Sequence, residues 1–145
     1  MKALLFPGQG VQKVGMLNSL FEEVSEVKSI IGDVSKSLDF DLEDLLRNGP
    51  EDKINLTEFS QPTILVTSVL LAKYSNKLSK IDITAGLSLG EYSALVYSNC
   101  LDLSDAVKLV NYRGRLMQEA VPEGTAGMLV VLNMPINDVY KMIDD

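Results

Sequence analysis

The segment Gly86-Leu87-Ser88-Leu89-Gly90 constrains this chain more than any other. An apolar run, Ile81–Ala85, precedes it and reads as a short strand, and Glu91–Tyr97 follows with the character of a helix. A serine between two glycines at a strand-to-helix reversal matches G-x-S-x-G, the pattern of a nucleophile elbow. The requirement is steric. The reversal holds the serine in a strained backbone conformation with its hydroxyl facing a cleft. Glycines on either side remove the Cβ atoms that would collide as the chain doubles back. The free N–H groups and dipole of a helix starting at Leu89 would favour a developing oxyanion. A plainer reading is a glycine-rich β-to-α turn in which Ser88 only caps the helix.

The rest of the chain alternates in the same sense. Lys2–Phe6 reads as a buried strand ending in the tight loop Phe6-Pro7-Gly8-Gln9-Gly10. Apolar residues recur at helical spacing from Met16 to Leu38, and Asp41–Arg47 adds a short helix stopped by Asn48-Gly49-Pro50. Ser60-Gln61-Pro62 opens a helix that is apolar nearly all round, with Ser60 as its expected N-cap and Pro62 in its first turn. Ser104–Ala120 is expected to be a helix capped by Ser104, Gly127–Leu132 a third strand, and Pro135–Ile143 a further amphipathic helix. Strands alternating with helices indicate a parallel α/β sheet. Three strands leave edges that need cover, so the chain reads as part of a larger unit.

Charge and cysteine usage exclude some classes of function. Thirteen basic against twenty acidic side chains leave a net charge of −7, which repels phosphate backbones and argues against nucleic acid as a partner. No apolar run approaches the ~18 residues that cross a bilayer, and Ala3–Phe6 is too short for the apolar region of a signal peptide. Neither a membrane nor a metal is expected. The lone Cys100 excludes an internal disulfide, fits a cytoplasmic location, and reads as a buried thiol in the turn between two helices.

Two further features carry chemistry. Ligand sites in open α/β sheets gather at the C-terminal ends of the strands, so the loop at 6–10 and the elbow at 86–90 are expected to face one another. Backbone N–H groups near Gln9 and at Leu89 would then make the two donors of an oxyanion hole. Arg113 and Arg115 flank Gly114 in the middle of a helix, where glycine costs about 1 kcal/mol relative to alanine. Close packing or a nearby ligand would justify it. Spacing alone assigns both arginines to the solvated surface. Lys73, Lys77 and Lys80 follow the buried helix and either complement its dipole or offer a patch to an acidic partner.

Taken together, Phe-Pro-Gly-Gln-Gly at 6–10, Ser60-Gln61-Pro62, Gly-Leu-Ser-Leu-Gly-Glu-Tyr-Ser-Ala-Leu at 86–95, Arg-Gly-Arg-Leu-Met-Gln-Glu-Ala at 113–120 and Pro122-Glu123-Gly124-Thr125 resemble the N-terminal half of the malonyl-CoA:acyl carrier protein transacylase family. The resemblance runs along essentially the whole chain. It implies an α/β-hydrolase-like core with a parallel sheet over residues 1–125, and the beginning of a small ferredoxin-like subdomain over 126–145. It implies that Ser88 takes a malonyl group from malonyl-CoA and passes it to the phosphopantetheine thiol of acyl carrier protein, in fatty-acid or polyketide synthesis. No bound cofactor is implied. The backbone N–H groups of Gln9 and Leu89 would form the oxyanion hole, and Arg113 would grip the free carboxylate of malonate. An acidic carrier protein would need a basic patch, for which the three lysines and two arginines are candidates.

Two departures stand out. Leu87 occupies a position where many members have histidine. The chain also contains no histidine at all, so the family's general base has no counterpart here. A missing half that carries it is one explanation. Two other readings remain open: a non-catalytic or split half-domain that binds acyl carrier protein or a complementary chain, and a serine hydrolase.

Overall fold

A computed structural model describes residues 1–75, 78–121, 124–125 and 131–144. Strand β1 (Ala3–Phe6) leads through the 6–10 loop to helices α1 (Asn18–Glu23) and α2 (Ser25–Ser35). The helical pattern from Met16 to Leu38 is thus split in two at Val24, whose backbone is extended. Its apolar face is buried as the spacing requires, through Leu17, Leu20, Phe21, Val27, Ile31 and Val34. Helix α3 (Leu42–Asn48) is capped by Asp41, whose carboxylate accepts the Asp44 N–H at 3.0 Å, and ends at Gly49 with φ +80°. Helix α4 (Glu51–Asn55) follows Pro50 and has no counterpart in the sequence reading.

Helix α5 (Thr57–Tyr74) is the buried centre of the fold, with eleven buried residues. It starts three residues before the expected cap. Ser60 lies inside it, fully buried, with its hydroxyl donating to the Thr57 carbonyl. Pro62 therefore sits within the helix, where its missing N–H deprives the Glu58 carbonyl of a partner. Asn111 supplies one instead. Its side-chain amide, from a helix far along the chain, donates to the Glu58 carbonyl at 2.9 Å.

Strand β2 (Ile83–Gly86) pairs in parallel with β1, Ala3 against Ile83 and Phe6 against Gly86. Helix α6 (Leu89–Tyr97) ends in a Schellman turn. The Cys100 N–H donates to the Leu95 carbonyl and the Asn99 N–H to that of Val96, with Asn99 at φ +59°. That turn directs Cys100 outward. The expectation of a buried thiol is wrong, because the residue is exposed. Helix α7 (Leu103–Ala120) is capped by Asp102 and not by Ser104, since the Asp102 carboxylate accepts the N–H groups of Ser104 and Asp105. Helix α8 (Ile136–Asp144) lies where Pro135–Ile143 was read.

Among the described residues the sheet has two strands. Most of the third expected strand, Gly127–Leu132, lies outside the described residues. One sheet face packs Phe6 and Leu4 against Ala72, Ala94 and Tyr97. On the other, Leu5 is 72% exposed and Ile83 is also open.

Candidate active site

The elbow is built as the glycine pattern demands. Ser88 has φ +53° and ψ −106°, a region costly for any residue with a side chain. A Cβ on Gly86 would lie 1.9 Å from the carbonyl carbon of Gly90, and one on Gly90 would lie 2.3 Å from the carbonyl oxygen of Phe6. Both clashes are with backbone, which cannot swing aside. Helix α6 can start immediately after the serine only because strand and helix approach this closely.

Parallel pairing of β1 and β2 places the two loops side by side. The Leu87 N–H donates to the Phe6 carbonyl at 3.2 Å, and a Cβ on Gly8 would touch the Leu87 carbonyl oxygen at 3.1 Å. Gln9 thus lies on the loop beside the elbow, and Leu89 is the first residue of α6, whose N–H has no partner within its own helix. Side chains fix the 6–10 loop. Gln9 donates from Nε2 to Thr57 Oγ1 at 3.2 Å, Gln12 from Nε2 to Asn55 Oδ1 at 2.8 Å, and the Gly10 N–H reaches Gln12 Oε1 at 2.9 Å.

Arg113 comes to Ser88 from α7. Its Nη2 donates to Ser88 Oγ at 2.9 Å and its Nη1 to Gln61 Oε1 at 2.8 Å, with the guanidinium 5.8 Å from the centre of the Tyr92 ring. The surface assignment that spacing suggested for Arg113 is therefore incorrect. Gly114 explains how the helix comes so near. A Cβ there would lie 2.7 Å from both Glu58 Cα and the Thr57 carbonyl oxygen, so its justification is close packing of α7 on the start of α5. Arg115 behaves differently, being ion-paired with Asp39 and Glu58.

Sequence reasoning placed Gln61 in a helix start and in the motif Ser60-Gln61-Pro62 but missed it as a member of this group. The available signal was an amide near the start of a long, mostly buried helix. The lysine patch does not join the site. Lys73 lies in the last turn of α5, about 18 Å along the helix from Gln61. Lys80 precedes β2, at the end of the strand opposite the elbow. Lys77 lies outside the described residues. Among those residues, no group of three or more His, Cys, Asp or Glu side chains is placed to hold a metal ion, and no helix is long and apolar enough to cross a membrane.

A strained serine at a strand-to-helix elbow, beside a second glycine-rich loop and under an arginine, is an arrangement suited to acyl transfer. Residues 3–145 match the family described as the acyl transferase domain, and the chain belongs to that family. It is 44% identical over 135 residues to a malonyl CoA-acyl carrier protein transacylase of Haemophilus influenzae, covering 91% of this chain and 43% of that protein. The crystal structure of malonyl CoA-acyl carrier protein transacylase from Clostridium perfringens superposes with a TM-score of 0.85 at 44% identity, over 99% of this chain and 46% of the other. A type II PKS acyl-carrier protein in complex with its malonyl-transacylase gives a TM-score of 0.77 at 43% identity, over 84% of this chain and 40% of the other. The shared fold is an α/β acyltransferase fold, and the chain spans less than half the length of these relatives.

Proposed function

We propose that this chain carries the acyl-accepting half of a malonyl-CoA:acyl carrier protein transacylase site, with Ser88 as nucleophile. The observation that supports it best is the 2.9 Å hydrogen bond from Arg113 to Ser88 Oγ, made across 25 residues of sequence. A guanidinium beside an acyl-accepting hydroxyl is where the free carboxylate of a malonyl ester needs a cation. Its planar fork suits a carboxylate with two parallel hydrogen bonds.

In the proposed reaction Ser88 Oγ bonds to the thioester carbonyl carbon of malonyl-CoA. The carbonyl oxygen takes negative charge against the N–H groups of Gln9 and Leu89. The C–S bond then breaks and CoA leaves as its thiol, carrying the proton given up by Ser88. The phosphopantetheine thiol of acyl carrier protein attacks the ester, takes the malonyl group, and returns a proton to Ser88. Two half-reactions through one covalent intermediate give ping-pong kinetics. The base that shuttles the proton is a histidine supplied from outside residues 1–145, which contain none. The relatives' printed names support malonyl-CoA and acyl carrier protein as donor and acceptor. We extend this to a cytoplasmic route to fatty acids. Residues 1–125 form part of the catalytic domain, and 126–145 begin a smaller ferredoxin-like subdomain.

The missing histidine favours a second reading, a half-domain that is inert until a complementary chain joins it. A serine hydrolase has less in its favour, because a cation over the nucleophile serves no purpose for a neutral acyl group. Intact-protein mass spectrometry after incubation with malonyl-CoA tests the proposal. A malonyl adduct is expected on the chain and none on Ser88→Ala, and holo-acyl carrier protein should discharge it faster than water does. An adduct that persists in Ser88→Ala refutes the nucleophile. No adduct in either protein leaves the split-site reading standing.

A further inference from the structure

We infer that Gln61 is a positioning residue that sets selectivity for acyl groups bearing a free carboxylate, an inference that rests on the proposed role of Arg113. Gln61 is fully buried, on the most buried helix of the fold. Burying an amide there is costly unless both its ends are satisfied. Each has a partner. Nε2 donates to Met117 Sδ at 3.2 Å, and Oε1 accepts from Arg113 Nη1 at 2.8 Å. Both partners lie on α7, four residues apart, on one face of the helix. The amide is therefore oriented with its oxygen toward the guanidinium, and it aims Nη2 at Ser88 Oγ.

What matters is that this acceptor is neutral. Arg115, one residue beyond Gly114, spends its charge on Asp39 and Glu58. Arg113 forms no ion pair among the described residues. It is held by a neutral oxygen, and so keeps its positive charge for an anion arriving at Ser88. A glutamate at position 61 would keep an acceptor for Arg113 Nη1, lose the donor to Met117 Sδ, and cancel the charge. A methionine, close in shape, would keep the charge and release the geometry. The two substitutions separate holding from charge.

The test compares acyl adducts on Ser88 formed from equal concentrations of malonyl-CoA and acetyl-CoA, in the unaltered chain, Gln61→Glu and Gln61→Met. A hydrogen bond to a charged group is worth about 1.5–3 kcal/mol, so the malonyl-to-acetyl ratio should fall about 10- to 100-fold in Gln61→Glu, and less in Gln61→Met. A purely structural role would lower folding stability and leave the ratio alone. Equal ratios in all three proteins overturn the inference. Arginine-labelled nitrogen NMR provides a readout that needs no catalysis, with Arg113→Lys identifying the signal. Slowly rotating Nη protons of Arg113 are expected in the unaltered chain and should average out in Gln61→Met. Should the unaltered chain form no adduct, the functional reading fails for this chain alone, and the spectrum decides on Gln61: an Arg113 signal unchanged in Gln61→Met refutes it.

Discussion

The contact between Pro62 and Asn111 predicts a coupling that a double-mutant cycle can measure. Pro62 lacks the N–H that would reach back four residues to the Glu58 carbonyl, and the Asn111 side chain takes that acceptor at 2.9 Å. Asn111 is buried and the start of α5 is covered by α7, so water is poorly placed to replace it. Asn111→Ala should cost about 1–3 kcal/mol, from the lost bond and the carbonyl left unpaired. In a Pro62→Ala background the new N–H of residue 62 can bond to the Glu58 carbonyl. Removing Asn111 should then cost less, by a coupling of about 1 kcal/mol. For a chain of this length each kcal/mol corresponds to about 3 °C in melting temperature. Urea unfolding of the four proteins, read by far-ultraviolet circular dichroism, gives the coupling directly. Strict additivity of the two substitutions would refute the idea that Asn111 stands in for the missing donor. The intrinsic effect of Pro62→Ala on helix stability cancels within the cycle.

The elbow supports two further predictions. Gly90→Ala places a methyl 2.3 Å from the Phe6 carbonyl oxygen and should destabilise by about 3 kcal/mol or more, since only backbone movement relieves it; a stable, unshifted Gly90→Ala protein by urea unfolding would contradict that geometry. Ser88→Gly should be more stable than Ser88→Ala by about 1 kcal/mol, because relief of a φ of +53°, about 1–3 kcal/mol, exceeds glycine's extra unfolded-state entropy, about 0.5–1 kcal/mol. Both variants lack the hydroxyl that Arg113 holds, so their difference isolates the strain, and equal midpoints would show that none is stored there.

Much of the fold was legible because its signals are local. The periodicity from Met16 to Leu38, the stop at Gly49, the strand before the elbow and the break at Ser98–Cys100 each depend on neighbours a few residues away. Boundaries failed where a distant group decided them. The start of α5 was placed at Ser60 because a proline belongs in a first turn when nothing else satisfies the carbonyl it orphans, and Asn111, 49 residues on, satisfies it. The cap of α7 was assigned to Ser104 because serine and aspartate are both good caps, and only geometry shows that the Asp102 carboxylate reaches two N–H groups. Cys100 was assigned to the interior on residue type, whereas the left-handed Asn99 turns it outward.

The site divides along the same line. Ser88 and its glycines were legible, since the strain that exposes a serine requires small neighbours in sequence. Arg113 was not legible from its own surroundings and entered through resemblance. The structure gives the physical reason. The opening of α5 is where two remote segments, the 6–10 loop and α7, are tied down by three contacts: Gln9 to Thr57 Oγ1, Asn111 to the Glu58 carbonyl, and Arg113 to Gln61. Gly114 lets α7 approach near enough for the last two. One helical turn thereby fixes the 6–10 loop relative to the arginine, with the serine elbow between them. Gln61 and Pro62, which look like an awkward interruption of an apolar helix, belong to that arrangement. Proline leaves a carbonyl free to anchor α7, and glutamine orients a cation without neutralising it. A substitution in this turn should therefore alter acyl selectivity even where it leaves Ser88 untouched.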